Sequence, residues 1–175
     1  MEFKGVTYEG DPISDKELWA NLPADLKSFY SEINGIVAYQ GGLHLRGCVA
    51  EPKWHSLRQV WQGDWALNRN FTELRATDIP FGQDCLGDQF FLRLGTVWRL
   101  WWETGEIEDL EIEFFDFLED IQTDPVDSLD LEPLVYYLDL GHSLQPGHLL
   151  ISDPPLSQEA KHYEFSAIRI EDFFS

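Results

Sequence analysis

Residues 79–102 form a run rich in Phe, Val and Trp that Gly82, Gly87 and Gly95 divide into short pieces. Short β-prone segments bounded by glycine are typical of strands joined by tight turns. The run therefore predicts two or three antiparallel strands. Alternation within residues 96–102 defines two faces, with Trp98, Leu100 and Trp102 on one and Val97, Arg99 and Trp101 on the other. We expect one large aromatic side chain to lie outside the main core.

Helical periodicity precedes this run. Residues 13–34 carry apolar side chains at helical spacing behind Ser14, a candidate N-cap, and Pro23 divides the stretch into two helices. Asn34 and Gly35 tolerate left-handed backbone angles and end the second helix, and the glycine-punctuated stretch that follows predicts a strand.

Two further helices are predicted. Residues 55–74 have an apolar face interrupted only at Gly63. Residues 112–121 are amphipathic with a period near 3.6, and this helix should end before Pro125.

The C-terminal third is broken by prolines into short pieces, of which residues 134–140 and 163–170 are the most apolar. Helices, strands, a helix and mixed elements follow one another without βαβ alternation. This order predicts one α+β domain over residues 1–175, with a mainly antiparallel sheet flanked by N-terminal and central helices.

Charge is distributed unevenly along the chain. The whole chain has 32 acidic and 12 basic residues, a formal charge of −20, which disfavours nucleic acids and anionic lipid surfaces as partners. Residues 100–160 contain 16 of the acids and no Lys or Arg. A basic protein is the partner that this charge favours.

The acidic segment has two interpretations. It is either a solvated face that maintains solubility or a surface that steers a basic partner, with exposed tryptophans as anchors. The candidate partner-binding residues are Trp98, Trp101, Trp102, Glu103, Glu106, Glu108, Asp109, Glu111, Glu113 and Asp116.

Cys48 and Cys85 are 37 positions apart and have neither CxxC nor zinc-finger spacing. Two reduced thiols in a reducing compartment are therefore expected. The first residues lack a basic region followed by an apolar run, and no stretch has the length of a membrane span. We expect a cytoplasmic protein that is not embedded in a membrane.

Sequence motifs for catalysis or metal binding are weak. His44 and Cys48, and His142 with His148, lack the second half of a ligand set, and residues 141–145 only partly match a nucleophile elbow. Carboxylate pairs are numerous in so acidic a chain, which leaves an acid-dependent hydrolase as a distant alternative. We expect no catalytic residue, no metal and no cofactor.

Several stretches in order along the chain resemble the SUKH superfamily, in its Smi/Knr-like branch. Leu22 and Pro23 with Asp25, Leu26, Phe29 and Tyr30 ahead of Asn34-Gly35 are similar to its beginning. Its central signature resembles residues 79–93, Val97, 103–108 and 114–121, and residues 144–155 look like the tail of its longer members. Together these pieces cover most of residues 22–155.

The resemblance implies an α+β fold with a twisted sheet flanked by helices, and no conserved catalytic apparatus. In many bacterial members it implies an immunity role against polymorphic toxins, often nucleases. Other members act as regulators or scaffolds, which is the alternative function here.

Gly82, Asp84, Gly87 and Asp88 belong to the central part of this resemblance. The glycines mark places where the chain turns or approaches another segment closely, and the aspartates can accept hydrogen bonds from nearby backbone amides in Asx-type turns. We favour this structural role over a ligand pocket at residues 84–88.

Overall fold

A computed structural model describes all 175 residues and has an α+β architecture, as the element order predicts. Seven antiparallel strands lie in the sheet in chain order, so that each strand pairs with the next. The strands are β1 (Tyr8–Glu9), β2 (Ile36–Ala38), β3 (Leu43–Leu45), β4 (Ile79–Asp84), β5 (Gln89–Arg93), β6 (Thr96–Leu100) and β7 (Ile107–Glu113). A second sheet consists of β8 (His148–Asp153) and β9 (Glu164–Arg169).

The helices are short. They are α1 (Lys16–Ala20), α2 (Ala24–Glu32), α3 (Leu57–Trp61), α4 (Phe114–Thr123), α5 (Pro125–Leu129), α6 (Glu132–Asp139) and α7 (Ile170–Phe173). Single 3₁₀ turns cover Tyr39–Gly41, Lys53–His55 and Leu67–Arg69. None of the helices combines the length and the hydrophobicity that crossing a membrane requires.

The two predicted N-terminal helices are present and divided at Pro23, but the first cap is one residue later than predicted. Asp15 rather than Ser14 is the N-cap of α1, and its Oδ1 accepts a hydrogen bond from the Leu18 amide at 3.1 Å. Gly35 has the positive φ of 82° expected after the second helix.

The predicted helix over residues 55–74 is wrong in extent. Only α3 forms as an α-helix there, because the amides of Gln62 and Gly63 both bond the Arg58 carbonyl and the chain leaves the helical path. Val60 in α3, Leu67 in a 3₁₀ turn and Leu74 in the following loop then reach one small core, rather than lying on one helix face.

The amphipathic helix was also predicted to begin too early. Ile112 lies in β7, whose inward Ile107, Leu110 and Ile112 are partly buried between exposed acids, and the helix begins at Phe114. Pairing with β6 overrides the helical period, and β7 bulges at Glu111, where φ is 54°. A bulge and a row of charges on this outermost strand oppose pairing with another chain.

The main core contains buried side chains from Phe3 to Leu150, so the chain forms one domain. Its centre is an aromatic group in which the Phe114 ring of α4 lies 5.5 Å from Phe29 and 5.0 Å from Phe81. A smaller core on the other face of the sheet contains Phe91 and Leu100, with Trp98 and Trp102 packed against it. The apolar residues 134–140 lie mainly in α6, and residues 163–170 mainly in β9.

Arg46 is 1% exposed and has no carboxylate partner. Its guanidinium donates to the Pro80 carbonyl at 2.7 Å and to the side-chain oxygens of Gln83 at 2.7 Å and Gln89 at 2.6 Å. Burial lowers the pKa of Arg46 to about 9. The partners lie on β4 and β5, so these bonds help define how β3, β4 and β5 align.

His44 and His55 form a buried pair in which Nε2 of His44 lies 2.9 Å from Nδ1 of His55. Nε2 of His55 lies 3.2 Å from the Asn34 carbonyl oxygen, which can only accept, so this nitrogen carries the proton. The unprotonated Nδ1 of His55 then accepts from Nε2 of His44. Burial disfavours the charged form of both rings, so each carries a single proton, which this geometry places on Nε2.

We expect both rings to stay neutral in the folded protein from pH 7 to about pH 5. Burial lowers the pKa of His44 well below its ordinary value and that of His55 to about 4, whereas an unfolded histidine has a pKa of about 6.5. Their contribution to stability is complete above about pH 6.5 and is lost as the pH falls toward 4. Imidazole ¹⁵N shifts test this, and a midpoint near 6.5 or a proton on Nδ1 would contradict it.

Candidate functional site

A cavity of about 540 Å³ lies beside the turn that joins β6 to β7. Its walls come from the β4–β5 turn, the end of β6, the β6–β7 turn, the α5–α6 junction and the loop between β8 and β9. The lining residues are Leu86, Asp88, Arg99, Trp101, Glu103, Thr104, Glu106, Asp130, Glu132, Pro133, Leu156 and Ser157. Segments from five parts of the chain therefore meet here.

Arg99 organises this region through three carboxylates. Its Nη2 donates to Asp84 at 2.8 Å and to Asp88 at 3.2 Å, and its Nη1 donates to Asp130 at 2.7 Å. The Arg99 side chain is 7% exposed and that of Asp84 is 0% exposed. An arginine so deeply buried requires carboxylate partners, and the buried Asp84 and Asp88 in turn require a cation.

The β4–β5 turn holds two of these carboxylates. Oδ1 of Asp84 accepts from the amides of Leu86 at 2.9 Å and Asp88 at 3.1 Å, which confirms the predicted Asx-type turn at Asp84. Asp88 differs from the prediction, because its Oδ1 accepts at 2.8 Å from the distant Trp102 amide. It thereby ties the β4–β5 turn to the β6–β7 turn.

Gly82 and Gly87, in the stretch that resembles the SUKH superfamily, have distinct physical roles. Gly87 has a φ of 86°, and a Cβ there would lie 2.5 Å from the Phe173 ring. Gly82 lies in β4, where a Cβ would come within 2.9 Å of the Leu45 side chain. Gly87 therefore permits the turn, and Gly82 allows β3 to approach β4 closely.

Burial and mutual proximity change the pKa values of Asp84, Asp88 and Arg99. Desolvation and the Asp88 carboxylate raise the pKa of Asp84, while Arg99 and two backbone amides oppose the change. Desolvation likewise raises the pKa of Asp88 against the effects of the Trp102 amide and Arg99. Desolvation lowers the pKa of Arg99, but Asp84 and Asp88 outweigh it and the net change is upward. All oxygens of Asp84 face donors, which assigns this residue a structural role.

Trp101 forms a ridge with the rest of the β6–β7 turn, residues 101–106. The Arg99 guanidinium carbon lies 3.8 Å from the Trp101 ring centroid, a cation–π contact. On the other side of the ridge is a more open concavity of about 640 Å³, to which Glu73 and Glu108 contribute. Trp101, Thr104 and Glu106 line both hollows.

Glu103 closes one side of the first cavity. Its carboxylate accepts from the amides of Leu156 at 3.0 Å and Ser157 at 2.6 Å, although these residues are more than fifty positions away. This contact holds the loop between β8 and β9 against the ridge.

The three predicted tryptophan anchors have different positions. Trp98 is half-buried, with the Arg93 guanidinium 4.7 Å from its ring, and Trp102 packs 4.4 Å from Phe173. Both therefore belong to the smaller core, and the expectation that they are exposed anchors is wrong. Trp101, also half-buried, is the one of the three that lines a cavity.

The predicted acids are only partly brought together. Glu103 and Glu106 line the first cavity and Glu108 the second. Exposed positions on the outer strand or on α4 are occupied by Asp109, Glu111, Glu113 and Asp116. These four extend the acidic surface away from the cavity.

Arg99, Asp130 and Glu132 were absent from the predicted site. Arg99 had a sequence signal, because it is the last basic residue before the base-free segment. It also lies on the same face of its strand as Val97, which is buried. Asp130 and Glu132 had none, since nothing local indicates that the α5–α6 junction lies beside β6.

Comparisons of the chain with protein-family models, with curated proteins and with solved structures found no match.

Proposed function

We propose that this chain is a non-catalytic protein-binding module that neutralises a basic bacterial toxin, as an immunity protein does. The observation that carries the proposal is the ridge at Trp101, which separates two hollows with acidic walls. The resemblance to the SUKH superfamily supplies the biological role. A nuclease is a fitting toxin, since proteins that bind nucleic acid carry basic surfaces.

Charge supports a role in rapid capture. Residues 100–160 contain 16 acids and no base, and the exposed acids of β7 and α4 extend the acidic surface from the ridge along the outer strand. Complementary charge raises association rates toward roughly 10⁸ M⁻¹s⁻¹ at low salt. An inhibitor that must reach its toxin before damage accumulates benefits from such steering.

Shape supports a specific contact rather than general attraction. Interfaces concentrate their binding energy in a few aromatic and charged groups at concave or packed positions. Trp101 and the hollows beside it provide a rigid feature of this kind, because Arg99, Glu103 and Asp88 hold the surrounding turns. Both cysteines are free and buried, which supports a cytoplasmic location.

Co-expression with the toxin encoded beside its own gene tests the proposal. We expect the chain to restore growth and to co-purify with the toxin in a stable complex, and a non-cognate toxin of similar charge to show neither effect. Absence of both growth rescue and a complex with the neighbouring toxin would refute the immunity role.

A further inference from the structure

The first cavity carries more negative charge than its one cation balances. Arg99 is the one basic residue that lines the cavity. Five lining residues are acidic, namely Asp88, Glu103, Glu106, Asp130 and Glu132. Asp88 and Asp130 pair with Arg99, and Glu103 is held by backbone amides. Glu106 and Glu132 take part in none of the ion pairs of the chain. Two exposed carboxylates at the edge of the cavity are therefore without an ion-pair partner in the chain.

Arg99 shows that these surroundings suit a guanidinium. Carboxylates hold its edges and the Trp101 ring covers one face at 3.8 Å. Its side chain is 7% exposed, and its Nε–H, like that of the core residue Arg46, has no acceptor within the chain. The carboxylates and the indole ring therefore show how this region holds a guanidinium.

Size and composition narrow the choice of ligand. A volume of about 540 Å³ exceeds what a bare metal ion or a water needs and is typical of a site for an organic group. Trp101, Leu86 and Pro133 supply apolar wall between the charges. An arginine residue in a polypeptide combines a planar cation, an apolar stem and a carbonyl acceptor, and it stacks on aromatic rings more readily than lysine does.

We propose that this cavity receives an arginine side chain of the partner protein, with Glu106 and Glu132 meeting its charge. This inference rests on the proposed function, because it names the side chain of the partner protein that the ridge recognises. Glu106 stands on the β6–β7 turn and Glu132 at the start of α6, so the arginine enters between these two elements.

The first experiment needs no toxin. The labelled full-length chain is titrated with N-acetyl-arginine methylamide and followed by NMR. We expect saturable shifts of the Trp101 indole N–H and of the Leu156 and Ser157 amides. Glu106→Gln with Glu132→Gln should weaken binding about tenfold, equivalent to about 1.4 kcal/mol. Glu17→Gln with Glu32→Gln, the same charge change on exposed positions of α1 and α2, should leave it within about twofold.

The corresponding citrulline derivative, which keeps the shape and lacks the charge, is the ligand control. Absence of saturable shifts at these residues, or equal shifts with citrulline, would overturn the proposal. Equal weakening by both variant pairs would also overturn it, because the effect would then reflect overall charge. Backbone spectra of the variants establish that they are folded.

A second experiment separates this inference from the proposed function. If the toxin complex forms and the Glu106→Gln/Glu132→Gln pair binds as tightly as the original chain, the cavity proposal is refuted and the immunity role stands. If arginine binds the cavity as expected and no toxin complex forms, the cavity proposal stands and the immunity role fails.

Discussion

Replacement of Arg99 by leucine should lower the free energy of unfolding by about 3–5 kcal/mol, the usual effect of leaving buried charges without their partner. Asp84 and Asp88 would then face each other with no cation between them, and Asp130 would lose its bond to β6. Chemical denaturation followed by tryptophan fluorescence measures the loss. A change below about 1 kcal/mol would show that the three pairs contribute little.

Two further variants test whether the loss of stability in Arg99→Leu comes from its buried ion pairs. Adding Asp84→Asn to Arg99→Leu removes one of the uncompensated charges, so the double variant should be more stable than Arg99→Leu alone. Arg169→Leu breaks a pair with Asp172 whose side chains are 61% and 53% exposed, and it should leave the denaturation midpoint unchanged. Equal effects at Arg99 and Arg169 would contradict the role assigned to burial.

Replacement of Phe114 by alanine should also cost about 3–5 kcal/mol, because it opens a cavity where α2, β4 and α4 meet. The ring is 1% exposed and lies edge-on to both Phe29 and Phe81. The matched control is Phe115→Ala, since the neighbouring ring is 38% exposed and should cost about 1 kcal/mol or less. Similar losses at the two positions would place the centre of the core elsewhere.

These two predictions concern different parts of the structure. The aromatic group fixes α4 and the sheet against each other, and the Arg99 group fixes the turns that line the cavity.

Local chemistry determined much of the fold. Strand alternation in residues 96–102 correctly separated Val97, in the main core, from Trp98 and Leu100, at the smaller one. Gly87, Gly95 and Pro23 marked turns and a helix boundary because backbone angles or a missing amide act within a few residues. The Asx turn at Asp84 was predictable for the same reason.

Contacts between distant residues decided element boundaries that the local sequence pattern did not. Ile112 fits a helical period as well as an alternating one, and only the hydrogen bonds of β6 select the strand. Residues 55–74 have enough apolar side chains for a helix, but Leu57 packs in the main core whereas Val60, Leu67 and Leu74 pack in the smaller one. The spacing of apolar residues indicates which side chains need to be buried, but not which part of the protein they pack against.

The cavity depended on tertiary structure most of all. The sequence determined that residues 100–160 are acidic, which is consistent with either a solvated face or a surface for a basic partner. Which acids act together was decided when Arg99 joined Asp84, Asp88 and Asp130, and when Glu103 bound the loop at 156–157. Such contacts join positions 11 to 54 residues apart, and their strength comes from burial that exists only after the chain has folded.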